Sequence, residues 1–547
     1  MIVFKICPNI AIAYLIVKPH CVLRPGFDSQ TGIGYIAMID ARRSSSPHAN
    51  VHGMPRPLNI LFISSEVEPF AKTGGLADVS GALPQTIRQL DHEIRVMLPR
   101  YGSINERKAR LHDMIRMKEI DIPVGDRQYS ASVKSSFIAN PQIKVQVYLL
   151  DNSTLFGRAG LYVHPDTKKD YPDNDARFTF FNRGVLEVLK KLGWQPDIIH
   201  CNDWPTGLVP AYLKTLYRND PFYKDTKTVF TIHNMAYQGV FPHKSFAQTL
   251  LPPEQNGENG VIAWGNVNFL KAGLMHADAL TTVSEKYAQE IRSSEEFGCG
   301  LQGLLEKRKH DLTGILNGVD YSVWDPSVDE LTPQRYDARS MDQKVENKKA
   351  LLDKMGLPFD EHIPVVGIIS RLADQKGFDL IGEALDEIIG MKIQLVVLGT
   401  GEKKYHDLFE KAARKHPRNV AVSLTFNNEL AHLIEAGSDM FLMPSRYEPC
   451  GLNQIYSLRY GTVPVVRATG GLDDTIEEYH PSAGTGTGFK FTKYESAEML
   501  KSLARAVKAY GDQTGWRKLM KNGMAKDFSW EASARKYIQL YRSLARK

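Results

Sequence analysis

Apolar positions in this chain fall into short continuous runs, separated by longer stretches in which they recur every three or four residues. Residues 58–64 form such a run behind Pro57 and read as a buried strand; residues 145–150, 197–201, 228–234 and 279–284 read likewise. Helical patterns separate most of them, for example residues 206–216 after the Asp203-Trp204 turn. A second series begins at residues 364–370 and continues with 393–399, 420–426, 440–445 and 463–469, each followed by helix-compatible residues. Strands alternating with helices predict βαβ units and parallel sheets. Two such series, split by the weakly patterned residues 320–360, predict an α/β chain of two Rossmann-like domains facing a central cleft. The expected partition is an irregular extension (1–53), an N-terminal domain (54–310), a C-terminal domain (311–527) and a final amphipathic helix (528–547).

Composition narrows the class. Of 547 residues, 43% are hydrophobic and 24% charged, which fits a globular chain and argues against wholesale disorder. The longest apolar run, Ile10 to Val17, is far below the roughly 18 residues needed to span a bilayer, so no membrane partner is expected. Basic residues number 68 against 62 acidic, well mixed and without a Lys/Arg block, which argues against nucleic acid. Five scattered cysteines without paired spacing predict neither a disulfide framework nor a zinc site, and suit a reducing compartment. The first 53 residues carry five basic and two acidic residues; they read as an irregular tail or an upstream start before Met54, with a plastid transit segment as the alternative.

Ligands of open α/β sheets bind beyond the carboxyl ends of strands, so the segments after the predicted strands carry the chemistry. After the first strand, Lys72-Thr-Gly-Gly-Leu-Ala-Asp78 places Gly74 and Gly75 before a helix-like segment, with Lys72 as a movable cation and Asp78 as an acceptor. After the strand at 364–370, Arg371 and Lys376 flank a loop ending at Gly377; a guanidinium fork and a point charge suit a diphosphate, or else a solvated surface. Two further segments, Pro444 to Leu452 with Glu448, Cys450 and Gly451, and Thr469-Gly470-Gly471-Leu472, each follow a strand and open a helix. No His in the Cys450 segment activates that thiol as a nucleophile. The fingerprints GxGxxG and GxxxxGK[ST] are both absent, which removes a dinucleotide oxidoreductase and a P-loop enzyme. Residues 484–488, Gly-Thr-Gly-Thr-Gly, follow no strand and read as a turn.

Taken in order, Lys72–Asp78, His200-Cys-Asn-Asp-Trp204, Thr231-Ile-His-Asn234, Ile315-Leu-Asn-Gly-Val-Asp320, Ser370-Arg371 with Gln375-Lys-Gly377, Pro444–Leu452 and Thr469–Leu472 resemble the bacterial glycogen synthase and plant starch synthase family over roughly residues 54–547. The resemblance implies the GT-B architecture and a retaining α-1,4-glucosyltransferase that moves glucose from ADP-glucose to the non-reducing end of an α-1,4-glucan, in glycogen or starch synthesis. It implies no cofactor and no metal, and a cytoplasmic location.

By the same resemblance, Lys72, Gly74, Gly75 and Asp78 form the N-domain wall of the donor site. Arg371 and Lys376 hold the diphosphate and neutralise it as ADP departs, with Thr469, Gly470 and Gly471 assisting and Cys450, Gly451 and Leu452 beside them. Glu448 contacts the transferred glucose. Phe426 is either a stacking face for adenine or a buried aromatic. His200 (a catalytic candidate, or else a satisfied core histidine), Asn202, Asp203, His233 and Asn234 line the sugar pocket and acceptor channel, with Asp173 of an acceptor-side loop; Asn317 contacts glucan. A carboxylate nucleophile for double displacement is not evident, so the implied mechanism is front-side, with the leaving phosphate accepting the acceptor's proton. Two positions depart from the wider pattern: Asn202 stands where many bacterial relatives have His, and Tyr456 stands where other GT-B enzymes have a second acid. The alternatives are a UDP-glucose enzyme, an enzyme with another acceptor, and a non-catalytic glucan-binding homologue.

Overall fold

A computed structural model describes residues 25–27, 34–36, 56–140 and 143–546. The chain divides into two compact units, Met1–Arg56 and Pro57–Lys547. In the first, Pro25–Phe27 pairs antiparallel with Gly34–Ile36, a short ladder where an irregular tail was expected. The apolar stretch 9–17 and the Arg42 to Pro47 segment lie outside the described residues.

Among the described residues the second unit holds two large sheets and a small three-stranded one made of Val240–Phe241, Asn266–Asn268 and Ile262–Ala263. Its N-lobe strands are β1 (Asn59–Ile63), β2 (Glu93–Pro99), β3 (His112–Asp113), β4 (Ile120–Val124), β5 (Arg127–Ala139), β6 (Lys144–Asp151), β7 (Ile198–Asn202), β8 (Lys227–Ile232), β9 (Ala279–Thr282) and β10 (Leu312–Gly314). They order as β10-β9-β8-β7-β1-β2-β6-β5-β3, with β4 on β5. The seven strands from β10 to β6 are parallel, and β5 turns antiparallel at the edge. Strands such as β1 and β7 are buried on both faces, which is why they read as continuous apolar runs and not as alternation. The C-lobe strands are β11 (Val365–Ile369), β12 (Gln394–Leu398), β13 (Val420–Ser423), β14 (Met440–Met443), β15 (Val463–Arg467) and β16 (Phe489–Phe491), all parallel in the order β13-β12-β11-β14-β15-β16. This is the two-Rossmann architecture that the alternating pattern predicts.

The sequence pattern overlooked strands whose residues are interrupted by charge or polarity. In β2 (Glu-Ile-Arg-Val-Met-Leu-Pro) the polar half hides the buried half, and the antiparallel edge β4–β5 alternates. The weakly patterned stretch contains a helix, Lys344–Met355. Residues 484–488 form the expected turn: Gly484 and Gly486 have positive φ, and Gly488 leads directly into β16.

Chain direction fixes where each sheet opens. From β1 the chain moves outward to β2 and β6, then returns to β7 on the other side. From β11 it moves to β12 and β13, then returns to β14. Each reversal leaves a crevice at the strands' carboxyl ends, β1/β7 in the N-lobe and β11/β14 in the C-lobe.

The terminal helix, Trp530–Ala545, returns to the N-lobe. Ser529 caps it, its Oγ accepting from Ala532 N, and Ala534, Tyr537, Tyr541 and Leu544 join the N-lobe core. The outgoing segment at Val319 and the returning one at Phe528 run side by side, Val319 N donating to Phe528 O at 2.8 Å. Gly318 is required there, because a Cβ would lie 2.4 Å from Trp530 Cα.

Candidate active site

Six helices matter below: α1 (Gly75–Gln89), α2 (Asn174–Leu192), α3 (Glu285–Ser293), α4 (Asn453–Arg459), α5 (Gly470–Thr475) and α6 (Trp530–Ala545). The C-lobe crevice encloses a cavity of about 170 Å³ lined by Arg371, Lys376, Ser445, Glu448, Gly451 and Asn453, among others. Arg371 is exposed and Lys376 partly so; their loop ends at Gly377, whose φ of 76° and whose Pro444 O, 2.1 Å from any added Cβ, demand glycine. Lys376 Nζ donates to Glu448 Oε2 at 2.5 Å, and Ser445 Oγ donates to the same oxygen at 3.1 Å. Glu448 is 6% exposed, so its one neutralising partner is the predicted diphosphate cation. Sequence reasoning brought Arg371, Lys376 and Glu448 to one site, and the structure joins Lys376 to Glu448 in an ion pair with Arg371 lining the same cavity.

Thr469, Gly470 and Gly471 stand behind that cluster. Gly471 N donates to Glu448 O at 3.0 Å, and a Cβ on Gly470 would lie 2.0 Å from the same oxygen. These glycines therefore let two backbones meet and hold the Glu448 loop. The Thr469 hydroxyl and Gly470 amide, expected to assist a phosphate, instead donate to Glu290 of α3, at 3.0 Å and at 3.1 to 3.2 Å. Glu290 is a buried N-lobe carboxylate, so these donors tie the lobes together; Lys286 N adds a 2.9 Å bond to Asp474. Burial pushes the Glu290 pKa up, and the Gly470 and Thr469 donors pull it back. Cys450 is buried, its thiol pushed up to about 12 by burial, so it is a packing residue and no nucleophile.

In the N-lobe crevice the Lys72 loop is shaped by Glu66, which the sequence reading missed. This buried carboxylate accepts from Thr73 N, from Thr73 Oγ at 2.7 Å, from Gly74 N at 3.2 Å and from Tyr162 OH at 2.8 Å. Lys72 itself pairs with Asp78 at 2.6 Å, both side chains more than 40% exposed, so the pair is solvent-screened and free to exchange partners. A Cβ on Gly74 or Gly75 would meet nothing within 4 Å, so these glycines leave the backbone open to close approach. Across the cleft, Asp78 lies near enough to Tyr456 on α4 to raise its pKa, burial being the larger cause. Tyr456 stacks on Trp324 at 4.0 Å between ring centroids, which is what the chain has at the position of the second acid.

At the end of β7, Asn202 Oδ1 accepts from His233 Nε2 at 2.9 Å, and Asp203 Oδ1 accepts from His233 N at 2.7 Å. Asp203 sits at φ 54°, ψ −179°, a strained conformation for a residue with a Cβ. Burial pushes its pKa up to about 7, while the His233 and Asn234 amides lower it. Burial brings His233 down to about 3, so it is neutral. Asn234 is half-buried with its Oδ1 on Ala236 N; Asn317 is buried and its Oδ1 has no partner among the described residues.

Two expected site residues, His200 and Asp173, turn elsewhere, and one of the two readings of Phe426 falls away. His200 is 1% exposed and held by Tyr541 OH at Nδ1 (2.7 Å) and Thr231 Oγ at Nε2 (2.5 Å). Burial, with a smaller contribution from His233, lowers its pKa to about 3. It is a core histidine latching α6 to the sheet and not a catalytic group, because both its ring nitrogens are already engaged in the core, whereas Asn202, two residues further on, ends β7 at the crevice. Asp173 precedes α2, and both its oxygens accept from Arg158, at 2.7 and 2.5 Å. Burial would raise its pKa, but Arg158 outweighs that and holds it below the ordinary value, which leaves no free base. Phe426 lies beyond the end of β13 and is 90% exposed, which removes the buried-aromatic alternative. Glu66 was legible as an acid directly after a strand; Glu290, Arg158 and Tyr541 had no local signal.

The model of the starch synthase catalytic domain matches residues 59–307, and that of glycosyl transferases group 1 matches residues 353–521. The chain is 47% identical over 485 residues to a glycogen synthase of Koribacter versatilis, covering 88% of this chain and 98% of that one. It is 45% identical over 505 residues to a glycogen synthase of Desulforudis audaxviator, covering 90% and 97%. The catalytic domain of starch synthase IV from Arabidopsis thaliana, solved with ADP and acarbose, superposes with a TM-score of 0.80 at 30% identity, covering 90% of this chain and all of that one. A sucrose-phosphate synthase from Thermosynechococcus elongatus shares the fold, with a TM-score of 0.53 at 17% identity. With its two crevices and their motifs in family order, the chain belongs to the glycogen synthase and starch synthase family and is a hexosyltransferase of the GT-B fold.

Proposed function

We propose that this enzyme transfers glucose from ADP-glucose to the non-reducing end of an α-1,4-glucan with retention, without a metal, in the cytoplasm. The observation that carries the donor side is the cluster of Arg371, Lys376 and Glu448 around one cavity at the C-lobe sheet reversal. When a diphosphate enters, Lys376 exchanges Glu448 for phosphate oxygens and Arg371 supplies a second, more exposed cation. Both then face charge that grows as the sugar–phosphate bond breaks, which is where electrostatic stabilisation is worth most. Glu448, released from its ion pair but still held by Ser445, lies beside the positive anomeric carbon. The proton of the acceptor hydroxyl passes to the departing phosphate oxygen, on the same face as the new bond. Two protein cations perform the neutralisation that a metal supplies elsewhere.

Phe426, exposed at a strand end on the donor lobe, suits adenine stacking. The neutral hydrogen-bonding set Asn202, Asp203, His233 and Asn234 suits sugar hydroxyls, and the open Gly74-Gly75 backbone suits close approach by the donor. Relatives named as glycogen synthases and a starch synthase solved with ADP and acarbose support the adenine donor and the glucan acceptor. Free Cys201, Cys299 and Cys450 support a reducing location.

The test is glucose incorporation into glycogen by purified protein, from ADP-glucose and UDP-glucose in parallel, with EDTA present. Incorporation from ADP-glucose that withstands the chelator is expected. Transfer from UDP-glucose alone overturns the donor; loss of activity in EDTA, restored by a divalent cation, overturns the metal-free reading.

A further inference from the structure

A second cavity lies away from the cleft, where α6 crosses the C-terminal end of α1. It measures about 530 Å³ and is lined by Leu90, His92 and Ile538 together with Arg535, Arg542 and Arg546; no carboxylate is among the described residues that line it. Arg535 is partnered along its own helix by Glu531. The other two are not so engaged. Arg542 Nε is buried without an acceptor, and no ion pair is formed by Arg546 among the described residues.

His92 makes the case sharper. Its side chain is 1% exposed, and its Nδ1 accepts from the Leu58 amide at 3.1 Å. A neutral imidazole that accepts at Nδ1 carries its proton on Nε2. Burial, and then the charge of Arg542, lower the His92 pKa, so the neutral form prevails. Yet Nε2 lies 3.4 Å from a terminal guanidinium nitrogen of Arg542, which is also a donor. Two donors thus face each other at hydrogen-bonding range in a buried corner, with the Arg542 Nε–H beside them. Buried donors of this kind are normally satisfied, and an unmade bond costs about 1–3 kcal/mol. An anionic acceptor reaching all three would satisfy them together, while Arg546 at the rim contributes further positive charge.

We propose that this groove is a binding site for a phosphate-bearing anion, gripped by Arg542, Arg546 and the Nε2–H of His92. Phosphate suits the arrangement because its several oxygens match a forked guanidinium and a third, differently directed donor. The cavity is larger than a lone phosphate needs, so a phosphorylated sugar fits as well as the inorganic ion. The site is independent of the donor cleft, which lies at the opposite end of α1, where Gly75 begins that helix.

The test keeps the donor cleft filled with saturating ADP and titrates full-length protein calorimetrically with inorganic phosphate and, separately, with a hexose phosphate. Potassium chloride of equal ionic strength is the control. Wild type should bind with a saturable isotherm of one equivalent, and Arg542→Gln/Arg546→Gln should bind at least about tenfold more weakly, as befits two lost charge-assisted contacts. Stabilisation of that variant by ADP, equal to wild type, verifies its fold. Preference between the two ligands identifies the source: tighter hexose phosphate binding indicates a metabolite, equal binding the phosphate group alone. Absence of saturable binding in wild type, or equal affinity in the double variant, overturns the proposal.

Discussion

The two crevices occupy the same place in two similar sheets and are chemically opposite. In the C-lobe, the reversal between β11 and β14 presents cations, Arg371 and Lys376, with one buried carboxylate. In the N-lobe, the reversal between β1 and β7 presents buried carboxylates, Glu66 and Asp203, saturated by backbone amides and hydroxyls, with a neutral His233 ring bonded to Asn202 beside them. A shared topology supplies the opening, and the loop residues decide what enters. The cationic crevice is built for a charge that changes during reaction. The other is a rigid, nearly neutral hydrogen-bonding surface, suited to a sugar that must be oriented.

If this division is correct, substitutions on the two sides fail differently. Lys376→Ala should lower kcat about 10²–10³-fold, the size expected for losing a group aimed at transition-state charge. It also leaves Glu448 buried without its ion-pair partner, so initial rates and thermal midpoint should be measured together. A fall in rate under about tenfold would break the assignment of Lys376 to the leaving group.

Tyr541→Phe tests the back of the N-lobe crevice. It leaves the buried His200 Nδ1 without its partner and should cost about 1–3 kcal/mol in urea unfolding. Since His200 is assigned to the core, the ADP-glucose KM of the folded variant should stay unchanged; a selective loss of kcat would restore His200 to catalysis.

Glu66→Gln replaces an acceptor surrounded by four donors with a group that also donates. The Lys72 loop should loosen, lowering kcat/KM about tenfold with most of the change in KM. A pure kcat effect would argue that Glu66 acts on the reacting atoms.

The most specific effect is a pH dependence. The folded-state pKa of Asp203, about 7, lies above the ordinary 3.8, so the proton is bound more tightly in the folded chain. Its stabilising contribution is complete below about pH 4 and is lost as pH rises through about 7. Asp203→Asn should remove that declining component, and the difference between variant and wild-type urea stability should change across this window only. A constant difference would mean that Asp203 is already ionised throughout.

Legibility followed the range of each interaction. The ten strands read from the sequence are all present, with ends shifted by a few residues at most, because burial on both faces writes itself into consecutive apolar residues. Strand β2 was missed because Glu93 and Arg95 interrupt it, and β5 because an edge strand alternates. Arg371, Lys376 and Glu448 were legible because loops after parallel strands converge by topology. His200 was misassigned because the groups that claim its two ring nitrogens, Tyr541 of the terminal helix and Thr231 of β8, carry no signal near it in the sequence. The Thr469–Gly470 donors were misassigned because their partner, Glu290, comes from the other lobe, some 180 residues away.

The amino-acid order by itself determined the alternation of strands and helices, hence two parallel sheets, two reversals and the loops that meet there. Those follow from periodicity and backbone chirality, which act over a few residues. Only the tertiary structure decided which carboxylate faces which cation, that Glu290 bridges the lobes, that Tyr541 claims His200, and that His92 and Arg542 present unmatched donors to one groove. Such pairings join positions up to 450 residues apart, and only packing in three dimensions brings them within hydrogen-bonding distance.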